Sequence, residues 1–442
     1  MDSSAENGAH KSQKEMSSTC AVLYGLRQLN MEDDNNRIDE SEIAEIIEID
    51  EEGEMKYASD DDEDQQSTSN ADVPAEIVDD SLLSLQAHAQ DCFAIALASN
   101  RWLATGGEDD VAFLFDQSVS DSEPVLKIEH KDSVTFVAFN NAETLLATGD
   151  LSGKILISEL ATKNVRAEID ECNDLEWIKW HHTADILFAG DKDGILWMWL
   201  IGNNGIAQSK VYSGNGASCT AGCLMPDGKR ILAGYSDGIV RLWLLREETS
   251  THLYFHSPIT AIDHHVSQSV AIVGTQSGTV NVINTASPEH QLRKISLLPP
   301  PGVKSTTVTA AGTSTEPEEE DDVANCVESL AMAPSHPWFA VGRNDGSMCI
   351  YEMDSNAPRS IFQSNQMMAI VKVIWSMEGN TPYVTVGSID GTVRVFDARD
   401  SSLLKELHNG GDEVLDVLVM QSNPHRIMTA GSGGIVRVFD LN

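Results

Sequence analysis

The pentapeptide GYSDG, Gly234 to Gly238, fits G-x-S-x-G, the elbow that presents a nucleophilic serine in many hydrolases. That chemistry needs Ser236 on a strand-to-helix turn, with a histidine base and an acid to activate it. The residues after Gly238 are IVRLWLL, which alternate as a strand does, so the helix is missing. His256, His264 and His265 follow, but the repeat described below already accounts for His256. GDLSGK, ending at Lys154, has three residues between its glycines where a phosphate-binding loop has four. The pairs His181–His182 and His264–His265 lack metal-ligand spacing on one strand face and read as loop residues. Trp177, Trp180, Trp197 and Trp199 could stack nucleic-acid bases, yet the acidic background disfavours that partner, and they read as core and rim. The expectation is a protein with no catalytic residues, no cofactor and no metal.

Charge and composition narrow the class. The 442 residues carry 69 acidic and 29 basic side chains, a formal net charge of -40. Residues 1–87 hold 24 acidic and 5 basic residues, or -19, which leaves -21 for 88–442. Such a field repels nucleic acid and anionic lipid and draws in basic partners. No apolar run reaches the roughly 20 residues of a membrane span, and the polar N-terminus resembles no secretory signal. The 7 cysteines include no C-x-x-C pair; Cys219 and Cys223 are spaced C-x-x-x-C, and all read as reduced thiols. These features predict a soluble monomer in the cytoplasm, with the nucleus a second compartment, no membrane insertion and no direct nucleic-acid binding.

Two regimes divide the chain. Residues 1–80 are predicted to be a disordered acidic tail: Glu32 to Asp64 hold 17 acidic and 2 basic residues. Within it, residues 38–54 set Ile38, Ile43, Ile46, Ile47 and Ile49 among carboxylates, the pattern of a short segment that folds onto a partner. From residue 88 the opening pentapeptide recurs. GGEDD starts at Gly106, GDLSG at Gly149, GDKDG at Gly190, GTQSG at Gly274, GRNDG at Gly342, GSIDG at Gly387 and AGSGG at Ala430. Including Gly234, successive starts are 43, 41, 44, 40, 68, 45 and 43 residues apart. A period of about 40 to 45 residues marks propeller blades. The one long interval holds residues 298–325, rich in Pro, Thr, Ser and Glu, and predicted to be a flexible insertion. The fold class predicted is all-β, an eight-bladed propeller over residues 81–442. Only Leu441 and Asn442 follow Asp440, so the last blade lacks an outer strand; SLLSLQAH, Ser81 to His88, would supply it and close the ring.

The repeats resemble the WD repeat, in which His, Ser/Thr, Asp and Trp of one blade form a hydrogen-bonded tetrad. On that resemblance the turn aspartates are Asp109, Asp193, Asp237, Asp345 and Asp390. The blade-opening histidines are His88, His130, His256 and His408; Thr105, Trp199 and Trp243 complete the structural set. Ser152, Ser277 and Gly433 replace the aspartate elsewhere. A closer likeness rests on ECNDLEWIKWHHTADILFAGDKDGILWMWL, Glu171 to Leu200, on PDGKRILAGYSDGIVRLW, and on the upstream EIIEID. These words resemble the angio-associated migratory cell protein family of animals, over nearly all of 81–442. That family is in turn similar to a fungal WD-repeat protein that acts as a dedicated chaperone of a basic large-subunit ribosomal protein. The resemblance implies that one propeller face holds a basic N-terminal segment of such a client; a general scaffold in signalling or cell migration is the alternative.

The charge pattern can be tested against that implication. In a propeller the turn after the second strand and the start of the first strand share one face. Residues at those places include Asp91, Glu108, Asp150, Asp174, Glu176, Asp191, Glu328 and Glu413, against chiefly Lys192 and Arg343. Converging carboxylates suit Lys and Arg donors. The expected partner-binding surface is therefore a ring of these eight acids. Ser236, at a position that varies from blade to blade, is at most one contact on it.

Overall fold

The computed structural model describes residues 77–118, 123–287, 291–297, 326–364, 368–420 and 422–441. The expected tail, apart from its last four residues, and the insertion at 298–325 lie outside the described residues. The described chain forms eight four-stranded antiparallel sheets. No helix among the described residues is long and apolar enough to cross a membrane; the one helical element there is a short 3-10 turn at Ser432–Gly434.

Each sheet is a blade, with strands a to d running from the inside outward. The eight a strands are Cys92–Ala98, Val134–Phe139, Leu175–Trp180, Ala221–Leu224, Ile259–His264, Val327–Met332, Ile370–Glu378 and Val414–Val419. Each touches the a strand of the next blade, and the last touches the first, so they line a closed ring. The apolar residues alternate along these strands and leave both faces of every blade to be covered. The core is accordingly divided into eight clusters, one between each pair of neighbouring blades. Between blades 8 and 1, for example, Met428, Ala430 and Val436 pack against Cys92, Ile95, Leu103 and Phe115.

Blade 8 takes its outer strand from the opposite end of the chain. Leu83–Gln86 pairs antiparallel with Ile435–Asp440, in the register Leu83 with Val438 and Gln86 with Ile435. Residues 78–80, expected in the tail, already join the ring. The Asp80 N–H donates to the His408 carbonyl at 3.1 Å, and Gly410 N–H donates to the Val78 carbonyl at 3.2 Å. The Arg437 guanidinium donates to Asp79 and to Asp412, at 3.2 and 2.6 Å.

The turn aspartates have the expected structural use where histidine accompanies them. His88 Nδ1 lies 2.8 Å from Asp109 Oδ1, and its Nε2 lies 2.8 Å from Thr105 Oγ1. The network assigns a neutral ring, Nδ1–H donating to Asp109 and Thr105 O–H donating to Nε2. Asp237 is simpler: its Oδ1 accepts the Ile239 N–H at 3.0 Å and stabilises the turn locally. Gly238 in that turn has φ +81, and a Cβ there would lie 2.9 Å from the Ser257 backbone, so only glycine fits.

Other members of the set differ from expectation. The residue equivalent to His130 is the one whose N–H bonds back to the previous turn, and in blade 5 that is Phe255, which donates to the Gly238 carbonyl. His256 lies one residue beyond, exposed, with φ +59 and its ring edge-on to Tyr254. In blade 8 the place belongs to Asn409, whose Oδ1 accepts from Thr429 Oγ1 at 2.8 Å, while His408 pairs with Asp80 instead. Asn173 serves Asp193 at 3.2 Å and Ser364 serves Asp390 at 3.1 Å. Asp345 accepts from Ser347, at 2.9 Å from its N and 2.6 Å from its Oγ. Trp199 is fully buried and donates to Glu171 at 2.9 Å; Trp243 lies 3.4 Å from the Tyr235 hydroxyl.

Burial holds the His88 pKa below its ordinary value, against the pull of Asp109. A histidine depressed in the fold stays neutral, so its contribution is intact above about pH 6.5 and is lost as pH falls toward the folded pKa. Thr105 could no longer donate to a protonated Nε2. Three substitutions should therefore separate in urea denaturation at pH 7. Ser236→Ala should change stability by less than about 0.5 kcal/mol, Asp237→Ala should lower it by about 1 kcal/mol, and His88→Ala by about 2 kcal/mol or more. His88→Ala should also flatten the loss of stability between pH 6.5 and 5; equal effects of the first two substitutions would contradict the structural assignment of Asp237.

Candidate functional site: an acidic propeller face

One backbone hydrogen bond recurs in all eight blades and defines a face. The N–H of a residue one or two positions after the second strand donates to the carbonyl of a residue one to three positions before the first strand. The donors are Glu108, Leu151, Lys192, Ser236, Gln276, Asn344, Ile389 and Ser432. Their acceptors are Asp91, Ser133, Asp174, Ser218, Pro258, Cys326, Ala369 and Glu413, at 2.9 to 3.2 Å. Because the same bond is made eight times, the sixteen residues stand at equivalent places around one end of the channel, with Ser133, Ser218 and Cys326 buried among them. Ser236 is one of them, followed by the strand Ile239–Leu244 and not by a helix, so the elbow geometry is absent.

A second repeated device feeds the ring. In seven blades a β-bulge breaks the pairing one residue into the first strand, at Phe93, Thr135, Glu176, Thr260, Glu328, Val371 and Leu415. A bulge inserts an extra residue and re-aims the side chains around it. Two of the bulge residues, Glu176 and Glu328, are carboxylates.

The expected acids then sort into two groups. Asp91, Glu108, Asp174, Glu328 and Glu413 are partly exposed at the face. Asp174 is 47% exposed and pairs with Lys192 at 2.7 Å, in a left-handed conformation with φ +46. Asp91 also accepts the Gly433 N–H at 2.8 Å and so ties blade 1 to blade 8. Burial, and then the nearby Asp91, raise the Glu413 pKa above its ordinary value, which marks a concentration of negative charge at the seam of blades 8 and 1. Glu176, expected at the face, is buried and accepts from Ser218 Oγ of the next blade at 2.7 Å.

Asp150 and Asp191 are corrections. Each is one residue short of the face and points into its blade, at 0% and 1% exposure. Asp150 does in blade 2 what Asp109 does in blade 1: it accepts from His130 Nδ1 at 3.1 Å, Ser152 Oγ at 2.7 Å and Lys154 N at 3.0 Å, while His130 Nε2 meets Thr148. Burial pushes its pKa up, but these hydrogen bonds outweigh burial and hold it below the ordinary value. Asp191 accepts from Trp197 Nε1 at 2.6 Å and Ile195 N at 2.8 Å, and burial pushes its pKa up. The acidic face is thus uneven. At the ring positions it is densest at blades 8 and 1, continues at blade 3 through Asp174 and at blade 6 through Glu328, and is neutral at blades 2, 4, 5 and 7.

The four-stranded blades, the turn bonds and the His–Thr–Asp networks together define a WD-repeat β-propeller. The WD domain, G-beta repeat, matches residues 122–157 and 207–243; each match takes in the outer strand of one blade, in whole or in part, and ends in the third strand of the next. The human angio-associated migratory cell protein is 33% identical over 359 residues, covering 80% of this chain and 78% of that one. The chain belongs to the angio-associated migratory cell protein family. Among solved structures, Saccharomyces cerevisiae Sqt1 superposes with a TM-score of 0.70 at 20% identity, covering 82% of this chain and 99% of that chain. Chaetomium thermophilum Sqt1 bound to the N-terminus of the ribosomal protein L10 superposes with a TM-score of 0.68 at 21% identity, covering 82% and 100%.

Packing around the Glu328 carboxyl pushes its pKa up to about 7. A carboxyl raised in the fold lowers stability once the unfolded chain ionises: the cost is absent below about pH 4.5, grows between about pH 4.5 and 7, and is at its full value above that. Glu328→Gln should therefore raise the melting temperature most at pH 8, much less at pH 5 and not at all at pH 4. A gain of the same size at all three pH values would show that the charge is not the cause.

Proposed function

We propose that this protein is a non-catalytic binding protein, a dedicated chaperone that holds the basic N-terminal segment of a newly made large-subunit ribosomal protein on its acidic face. The reading places it in the cytoplasm and, with its client, in the nucleus. The observation that carries it is the cluster Glu413, Asp91 and Glu108 at the seam of blades 8 and 1, continued by Asp174 at the channel mouth. Partly exposed carboxylates on rigid turns are preorganised acceptors for Lys and Arg, whose charge-assisted hydrogen bonds gain from an organised partner. The resemblance in fold to Sqt1 with an L10 N-terminus bound supports the same class of client. Asp150 and Asp191, though acidic, are excluded from the contact by burial.

Binding of a Lys/Arg-rich peptide from the N-terminus of that ribosomal protein, followed by calorimetry, tests the reading. Raising ionic strength from about 0.05 to about 0.5 M should weaken binding by at least about tenfold. Glu108→Lys, Asp174→Lys and Glu413→Lys combined should abolish measurable binding while leaving the fold intact by circular dichroism. Unchanged affinity in the triple variant would remove the face assignment. Co-purification of several unrelated proteins, without a ribosomal protein among them, would favour a general scaffold.

A further inference from the structure

A second constellation lies away from the acidic face, toward the ends of the a strands of blades 4 and 5. Cys223 belongs to Ala221–Leu224; Asp263 and His264 end Ile259–His264. Among the described residues, their thiol, carboxylate and imidazole atoms lie within 4.8 Å of one another. Cys223 Sγ is 3.0 Å from His264 Nδ1, and that same nitrogen is 3.8 Å from Asp263 Oδ1.

A Cys–His–Asp set first suggests an activated nucleophile. That chemistry uses the two imidazole nitrogens separately, one toward the nucleophile and one toward the acid. Here a single nitrogen faces both partners, so no relay passes through the ring. Three donors converging on one point is instead the geometry of a coordinated cation. We propose that Cys223, His264 and Asp263 form a zinc-class metal site joining blades 4 and 5. Tetrahedral zinc with ordinary bond lengths separates neighbouring ligand atoms by about 3.3 to 3.6 Å. The two distances above bracket that range, so each of these two pairs needs a shift of only about half an ångström. Thiolate, imidazole and carboxylate together select zinc over calcium or magnesium, which take oxygen donors. Three protein ligands leave the fourth position to water.

The surroundings hold the ligands as metal sites require. Asp263 Oδ1 accepts the His264 N–H at 2.8 Å, and its Oδ2 accepts the Met332 N–H of blade 6 at 2.7 Å, which fixes the carboxylate plane. Cys223 is 2% exposed, whereas the side chains of His264 and Asp263 are 17% and 30% exposed, so an ion can enter from their side. The neighbouring histidines are engaged elsewhere. His265 Nδ1 accepts from the Ser267 and Gln268 N–H groups, and His182 Nε2 lies 3.3 Å from the Met225 carbonyl. Lys179 is close enough to act on both Cys223 and His264; its charge offsets part of the double negative charge of a bound thiolate and carboxylate. Binding releases the Cys223 thiol proton to solvent; no redox step is involved.

The test is titration of the purified full chain with cobalt(II) as a spectroscopic stand-in, and with zinc by competition. One equivalent per chain should produce thiolate-to-cobalt charge-transfer absorption. Cys223→Ser should abolish that band, and His264→Gln should weaken binding by at least about tenfold. X-ray absorption at the zinc edge of the loaded wild-type chain should show one sulfur ligand beside nitrogen and oxygen, a readout that does not depend on how the variants fold. Absence of the cobalt band in the wild-type chain, its persistence in Cys223→Ser, or a zinc spectrum with no sulfur ligand would each overturn the site.

Discussion

Ring closure is the constraint on which the rest depends. A blade has two faces and no core of its own, so each of the eight clusters exists only because a neighbouring blade supplies the other half. An open arc would leave two half-clusters and two strand edges exposed. The chain avoids this by laying Leu83–Gln86 beside Ile435–Asp440 and fastening the join with Arg437, Asp79 and Asp412. Asp416 strengthens the same seam from inside, accepting from Ile95 N of blade 1 at 3.1 Å and from Lys372 of blade 7 at 2.7 Å.

Closure also shapes the binding surface. With the blades held in one ring, the repeated turn bond delivers eight pairs of side chains to one end of the channel at fixed positions. The scaffold does not care which residues stand there, because the bond is made by backbone atoms. Leu151, Ser236 and Ile389 occupy the same geometric place as Glu108. The surface can therefore vary while the fold is preserved, and its acidity is information added on top of the propeller. The densest charge falls beside the closing seam, so the segment that closes the ring also helps to frame the site.

Much of this was legible in the primary structure. The period of 40 to 45 residues, the turn glycines and the alternating strands define the blades and their number. The variable position within GYSDG was also readable: seven homologous turns place Ser236 where the repeat changes residue from blade to blade. The tetrad was harder. His130 needed Asp150, which lies at the end of its strand and not in the turn, and a substitute such as Asn409 has no signature apart from its partner Thr429. His256 resembled a tetrad histidine by type and approximate spacing, but a one-residue offset places it outside the network.

Local pattern determined the all-β class, the blade repeat and the concentration of acid, because each depends on residues close in the chain. The tertiary structure alone decided which acids face solvent. Asp150 and Asp191 differ from the turn residues Leu151 and Lys192 by one position, yet that step reverses the side chain from surface to interior. It alone also placed Glu413 beside Asp91 across the closing seam, and Cys223 beside His264, 41 residues away. Those meetings are made between blades, where the contacting strands are separated by a full repeat, and no periodicity within a repeat specifies which side chains will converge there.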